Sequence, residues 1–320
     1  MTTVLHRAAQ DAGLAPSILN TQPWRWRVAG EALELYADAA RRLPHVDPDG
    51  RLMVLSCGTA LHHARVALAH AGREPAVDRL PEPGRPELLA RLRDLRARPV
   101  TPESILAYRC IRQRRTDRRT FAPGAQVPGA ALDRLRASAE AEHARLYPLQ
   151  RQDVVYLRYA VQGAERVGGR DPNAAADARR WTHRGADAAD GVPPETVAAA
   201  ADRQVPLRDF GLGDEAALAA GPGDDDGAEY LVIATDGDEP LDWLRAGEAT
   251  SAVWLAATGQ GLAASPLSDV VEIPGARALV RTLLRPAAQP QLILRLGVAQ
   301  RVEPPPGSPR RPVTGIFDAN

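Results

Sequence analysis

Residues 15–28 read A-P-S-I-L-N-T-Q-P-W-R-W-R-V, and the reading of the whole chain turns on them. Pro16 and Pro23 bracket a run that cannot be regular helix, because proline lacks the amide donor and restrains the residue before it. Between them stand Ser17, Asn20, Thr21 and Gln22, a dense set of short donors and acceptors. Trp24, Trp26 and Val28 then alternate with Arg25 and Arg27, the period-two mark of a half-buried strand. A rigid polar loop feeding a strand can hold hydrogen-bonding groups against a flat polar ligand. It can equally be a structural turn with polar caps.

Working outward, a short helix over 4–12 precedes this loop, and a second strand over 32–37 follows it. The residues from 52 to 71 predict a long helix of small residues closed by Gly72. A short strand at 76–80 and a helix at 87–96 come next. Thr101-Pro102 marks a helix start, a cap followed by proline at the first position. Further helices are expected at 130–142, 153–167, 240–261 and 274–284, with strands at 144–149, 230–235, 262–269 and 291–297. The stretch 168–227 is the least regular, rich in Ala, Asp, Gly and Pro, and its size suits a lid or binding loop. The segments 52–80 and 248–269 share one pattern, a small-residue helix, a terminal glycine and then extended chain.

Forty basic residues balance forty acidic ones in 320, and every basic residue is arginine. The neutral balance argues against a general nucleic-acid or acidic-membrane binder. The lack of lysine excludes a Schiff-base lysine, a pyridoxal phosphate anchor and a P-loop. Cys57 and Cys110 are far apart and lack metal-ligand spacing, which reads as two buried small residues. His62 and His63 are neighbours on a helix, point apart and read as ordinary helix residues; no metal site is expected. No apolar signal core opens the chain, so a cytoplasmic location is the expectation.

Residues 112–121, R-Q-R-R-T-D-R-R-T-F, concentrate positive charge around a hydroxyl and a carboxylate. Arginine forks match phosphate oxygens, and Thr116 can donate beside them. The same run also reads as a solvated arginine-rich helix end.

The motif A-P-S-x-x-N-x-Q-P-W resembles a signature of the FMN-dependent nitroreductase superfamily, whose members hold this loop beside the flavin ring. Arg114, Arg115, Thr116 and Arg118 resemble the family's R-R-S-x-R motif, with threonine for serine; that motif holds the ribityl chain, phosphate and ring edge. With no lysine present, an arginine has to steady the negative charge of the reduced flavin. Residues 261–269, G-L-A-A-S-P-L-S-D, are similar to the family's G-L-x-x-x-P-x-E-G segment. That match nominates Pro266, Leu267, Ser268 and Asp269, with Ser268 where glutamate is usual. Pro309-Arg310-Arg311-Pro312 is similar to the basic carboxy-terminal motif that completes the phosphate site.

The loop precedes the arginine motif here, the reverse of a single-unit nitroreductase. The resemblance therefore implies an α+β fold of two tandem halves, 1–100 and 101–320, forming an intramolecular pseudo-dimer. Its sheets are antiparallel or mixed and flanked by helices, with a lid insertion at about 168–227. The first half supplies Pro16, Ser17, Asn20 and Gln22; the second supplies the arginine motif, so one flavin per chain is expected. This arrangement resembles the Acg-type branch, in which Trp181, His183 and Asp190 are the lid residues to watch. The implied function is an oxidoreductase passing hydride or electrons through FMN to a small oxidised or conjugated substrate, with NAD(P)H as a candidate donor. The alternatives are a closed flavin-sequestering protein, or a phosphate-binding module without flavin. A monomer, with further pairing of chains left open and neither nucleic acid nor membrane as partner, completes the expectation.

Overall fold

The computed structural model describes residues 2–185, 187–300 and 303–317. Its helices are α1 (Thr2–Ala12), α2 (Arg51–His70), α3 (Pro102–Gln113), α4 (Gly129–Glu140), α5 (Val154–Gly168), α6 (Pro172–Thr182), α7 (Pro240–Gly259), α8 (Asp269–Glu272), α9 (Pro274–Thr282) and α10 (Val313–Ile316). The strands are β1 (Trp24–Ala29), β2 (Ala32–Ala37), β3 (Arg73–Arg79), β4 (Leu88–Ala97), β5 (Arg145–Pro148), β6 (Glu229–Thr235), β7 (Leu262–Leu267) and β8 (Gln289–Val298). They form two four-stranded sheets, ordered β1-β2-β4-β3 and β5-β6-β8-β7, antiparallel throughout. The two orders are the same pattern, and the fold is α+β as expected.

Two long helices lie between the sheets and pack on each other. In α2 the alanines, glycine and serine that make it poor in side-chain bulk let α7 approach to backbone contact. A Cβ added to Gly58 would stand 2.1 Å from the Leu244 carbonyl oxygen, and one added to Gly247 would stand 2.0 Å from that of Leu55. Gly58 and Gly247 hold the same rank in their helices, separated by 189 positions. That spacing also relates the helix starts Arg51 and Pro240, the left-handed glycines Gly72 and Gly261, and the strand starts Arg73 and Leu262. His62 and its counterpart Ser251, also 189 apart, touch each other directly at 2.8 Å. Contact between a position and its own counterpart is what a local two-fold axis produces.

By length and hydropathy α2 could cross a membrane, but 83 % of that window is buried inside the protein. It is a core helix.

Three expectations change. Residues 87–96 form the central strand β4, not a helix, because β2 and β3 pair along its two edges and fix it extended. The helix opened by Thr101 does form, with a reciprocal capping box to Ser104, but it stops at Gln113, so the arginine motif beyond it is extended. The 168–227 stretch carries one further helix, α6, whose start is capped by Asp171.

Candidate functional site

The loop and the arginine motif, which lie about a hundred residues apart, meet at one pocket. Along the loop, Leu19, Asn20 and Gln22 all take positive φ, a strained backbone held by its surroundings. Hydroxyls of α2 do the holding. Thr59 donates to the Pro16 carbonyl at 2.6 Å, and Ser56 accepts the Ile18 amide at 3.1 Å. Ser17 closes the turn by accepting the Gln22 amide at 2.9 Å.

The extended motif lies beside β7, with the Asp117 amide donating to Ala264 at 2.9 Å. Asp117 is satisfied by Arg119, which leaves Arg114, Thr116 and Arg118 to face the pocket. Pro16, Ser17 and Asn20 of the loop, Pro266, Ser268 and Asp269 around the β7–α8 junction, and Arg310 of the tail line the same pocket. Trp254 of α7 makes an apolar floor, with the Arg114 guanidinium 4.7 Å from its ring centre.

The charges collect at two places. Arg114, Arg115 and Arg310 make one focus. Burial, then the charges of Arg310 and Arg115, pull the pKa of Arg114 down to about 9. Burial and then Arg115 bring Arg310 to about 10. The second focus joins Arg118, brought to about 10 by burial and then Arg208, with Arg208 itself. Arg114 Nε and Nη1 are buried and make no hydrogen bond, and neither carboxyl oxygen of Asp269 makes one. Buried polar groups left unsatisfied in this way are costly unless a ligand completes them. An anion with both a phosphate-like end and an aromatic or conjugated ring suits them.

Not every expected residue reaches the pocket. Asn20 lines it, but its amide is spent on tying segments together: it donates to Gly191 and Pro309 carbonyls at 2.8 and 3.0 Å and accepts Arg310 at 2.6 Å. Gln22 sits behind it, bonded to the Ala189 carbonyl and to the Arg311 amide. Arg311 turns back onto the Gln22 and Trp24 carbonyls. Arg115 contributes charge from outside the lining, and Leu267 points into the core because strand alternation puts it opposite Pro266 and Ser268.

The three residues expected of a lid also stand outside the pocket. Trp181 is buried against Leu19, Val192 and Leu212, ringed by the guanidiniums of Arg41, Arg180 and Arg184. Asp190 pairs with Arg41 at 2.8 Å and Arg184 at 2.6 Å. His183 faces a separate outer groove. Besides Val192, the insertion reaches the pocket through Leu207, Arg208 and Phe210, where Phe210 stacks under Arg118 at 4.9 Å. No motif flags these three, nor Ser56, Thr59, Thr250 and Trp254 on the long helices. An arginine and an aromatic two apart in an otherwise small-residue insertion were the available signal.

His62 and His63 are not ordinary after all. Both Nδ1 atoms lie 2.8 Å from Ser251 Oγ across the helix crossing. A hydroxyl donates only once, so one histidine accepts from it and the other donates to it. His62 Nε2 faces Glu142 at 3.7 Å, while His63 Nε2 has no partner. That assigns His62 as the acceptor at Nδ1 and His63 as the donor, an assignment from the network. Among the described residues no group of three His, Cys, Asp or Glu side chains could hold a metal.

No family model matches the chain. It is 35 % identical over 317 residues to "Putative NAD(P)H nitroreductase Rv3131" of Mycobacterium tuberculosis, covering 95 % of this chain and 88 % of that protein. It is 36 % identical over 322 residues to "Putative NAD(P)H nitroreductase acg" of the same organism, covering 99 % and 96 %. Among solved structures it is similar to an FMN-bound nitroreductase from Bacteroides fragilis, at 12 % identity and a TM-score of 0.39, over 62 % of this chain and 90 % of that one. At more than a third identity over nearly its full length, the chain belongs to the nitroreductase family, in the Acg branch.

Proposed function

We propose that the chain binds one FMN in this pocket and is an oxidoreductase that passes a hydride from a nicotinamide donor to a small oxidised or conjugated acceptor. The observation that carries the reading is the pair of unsatisfied groups, the Arg114 guanidinium and the Asp269 carboxyl, that line one pocket. Arg114 and Arg310, with Arg115 behind, hold the phosphate; Thr116 and Ser17 serve the ribityl hydroxyls; Trp254 packs on the apolar side. Arg118 and Arg208 form the cationic focus for the ring edge, doing what a lysine does elsewhere in the family. When bound, FMN supplies two-electron hydride chemistry, and the protein supplies binding, orientation and field. The two halves, 1–100 and 101–320, act as a pseudo-dimer, each giving one wall, and the 168–227 insertion is a lid.

A second reading, FMN sequestration without turnover, is favoured by the way the insertion is clasped down. Asp190 pairs with Arg41, and Gly191 holds Asn20, so opening breaks both. One experiment separates them. Purified protein is loaded with FMN and titrated anaerobically with NADPH, NADH and then dithionite. Bleaching of the flavin band by a nicotinamide supports the oxidoreductase; reduction by dithionite alone supports sequestration. Arg114→Ala is expected to weaken FMN affinity about 10–100-fold, the loss of a charge-assisted phosphate contact. A wild-type protein that takes up no FMN sinks both readings.

A further inference from the structure

Three residues, Arg208, Phe210 and Asp269, line both the pocket and the outer groove, a space of about 970 Å³ along α5, α6 and α9. The two spaces are therefore one side chain apart. The three residues are held in different ways. Asp269 is buried and fixed as the first residue of α8, and Arg208 is tied to that helix through its ion pair with Glu272. Phe210 is half-buried, touches Arg118 at 4.9 Å and packs at the margin of the Trp181 cluster. The chain around it is the loosest part of the site. From Val205 to Gly211 no amide or carbonyl enters a backbone–backbone hydrogen bond among the described residues, and the Asp209 carboxylate alone steadies the turn by accepting the Gly211 amide at 2.7 Å. Gly211, directly after Phe210, has φ +67°.

The other way into the pocket is to lift the insertion, and that is well fastened. Arg41 holds Asp190 at 2.8 Å, Asn20 donates to the Gly191 carbonyl at 2.8 Å, and Gln22 donates to that of Ala189 at 3.0 Å. The Asp177 carboxylate of α6 accepts the His45 amide at 2.7 Å. Trp181 is packed among Leu19, Leu43, Val46 and Val192. Lifting breaks four polar contacts and empties an apolar cluster. Moving Phe210 breaks one cation–π contact and exposes one ring that is already half in solvent. Segments with few backbone hydrogen bonds open locally far more often than packed ones.

We propose that small molecules reach the bound flavin from the groove, past Phe210, while the insertion stays fastened. The inference rests on the FMN reading above. It also separates two properties that the clasp on the insertion otherwise joins. A clasped insertion retains the cofactor, and a side entrance gated by one aromatic ring still admits smaller partners.

The test plugs the groove without touching the pocket. Cys57 and Cys110 are buried, so a maleimide reacts at an introduced cysteine instead. Ala278→Cys on α9 and Ala175→Cys on α6 line the groove and not the pocket; Ala130→Cys, on the exposed start of α4, is the control. Each variant is loaded with FMN, labelled with N-ethylmaleimide or with the bulky pyrenyl maleimide, and mixed anaerobically with dithionite while the flavin band is followed. The pyrenyl label at 278 or 175 is expected to slow reduction about 10-fold or more, with FMN affinity kept within about twofold, and the same label at 130 to leave the rate alone. In the unlabelled protein Phe210→Ala is expected to speed reduction about 5-fold, and Asp190→Asn, which loosens the insertion, to change it less than about twofold. Equal rates with either label at both groove positions overturn the proposal. So does a larger acceleration in Asp190→Asn than in Phe210→Ala, which would make the insertion itself the entrance. A wild type that takes up no FMN overturns the parent reading and this one with it, whereas a yellow protein indifferent to the plug overturns this one alone.

Discussion

The two ends of the α2–α7 crossing are related by the same 189-residue spacing, yet one leaves buried charged groups without partners and the other pairs them internally. At the open end stand Thr59, Trp254, Pro266 and Ser268. Their counterparts at the other end are Glu248, Arg65, Val77 and Arg79, beside a shallow cleft. There Glu248, fully buried, takes Arg79 at 2.6 and 2.9 Å and Arg65 at 2.7 Å, and Arg65 also holds Glu142 at 2.5 Å. The connections differ too. Eleven residues join α1 to β1 at the open end, and four join α4 to β5 at the other. The short connection has no room for a polar loop like 15–22. One end thus leaves its charges for a ligand, while the other pairs them internally. The same backbone frame gives both, and a few side chains decide which.

The frame itself is the first thing to break. Gly58→Ala puts a methyl 2.1 Å from the Leu244 carbonyl, a backbone atom that moves only if a whole helix does. The expected cost is more than about 4 kcal/mol, or failure to fold, since this is overpacking against backbone. Ala60→Gly in the same helix serves as the control for helix propensity and should cost only about 1 kcal/mol plus a small cavity. Chemical denaturation of both variants is the measurement. Comparable losses would mean that the crossing is not the tight joint described.

Next in size is the filled end. Glu248→Ala leaves Arg65 and Arg79 facing each other without their shared carboxylate, a loss of about 3–5 kcal/mol for a buried network deprived of one member. FMN affinity should stay within about twofold, because the pocket takes nothing from this cluster. If affinity fell with stability, the two ends would be coupled through the crossing rather than independent.

How much of this contrast the sequence carries depends on the kind of residue. The open end was legible because its parts are conspicuous: prolines around polar residues, an arginine run, a proline after a small-residue strand. The filled end is spelled by single charges on helices, and Glu248 among alanines announces nothing until Arg65 and Arg79 are brought to it by the fold. Strand β4 was misread for a related reason. Leu, Ala and Arg are all good helix formers and L-L-A-R-L-R-D-L fits a helical period, but pairing on both edges outweighs local preference. Arg208 and Phe210 were missed because an irregular insertion has no period to read. Trp181 and Asp190 stand out in the sequence, yet they pack on Leu19 and pair with Arg41 instead of lining the pocket.

The smallest effect probes the axis where the two ends meet. Burial first and then the charge of Arg65 bring His62 down to about 3, and burial followed by the charge of Arg114 puts His63 well below its ordinary value. Both are therefore neutral in the native state at pH 6.5, where the unfolded chain begins to take up protons that the folded one refuses. The sign follows: stability is lost as pH falls from the unfolded value near 6.5. Between pH 6.5 and 5.5 each histidine contributes a loss of about 1 kcal/mol, before most carboxylates begin to titrate. His62→Gln should halve that loss, read from urea midpoints at the two pH values; an unchanged slope would mean that His62 is charged in the native protein. The contrast between the ends predicts one asymmetry. A phosphate on Arg114 offsets the charge that depresses His63, so FMN should lessen the acid sensitivity attributable to His63 and leave that of His62, set by Arg65, where it was.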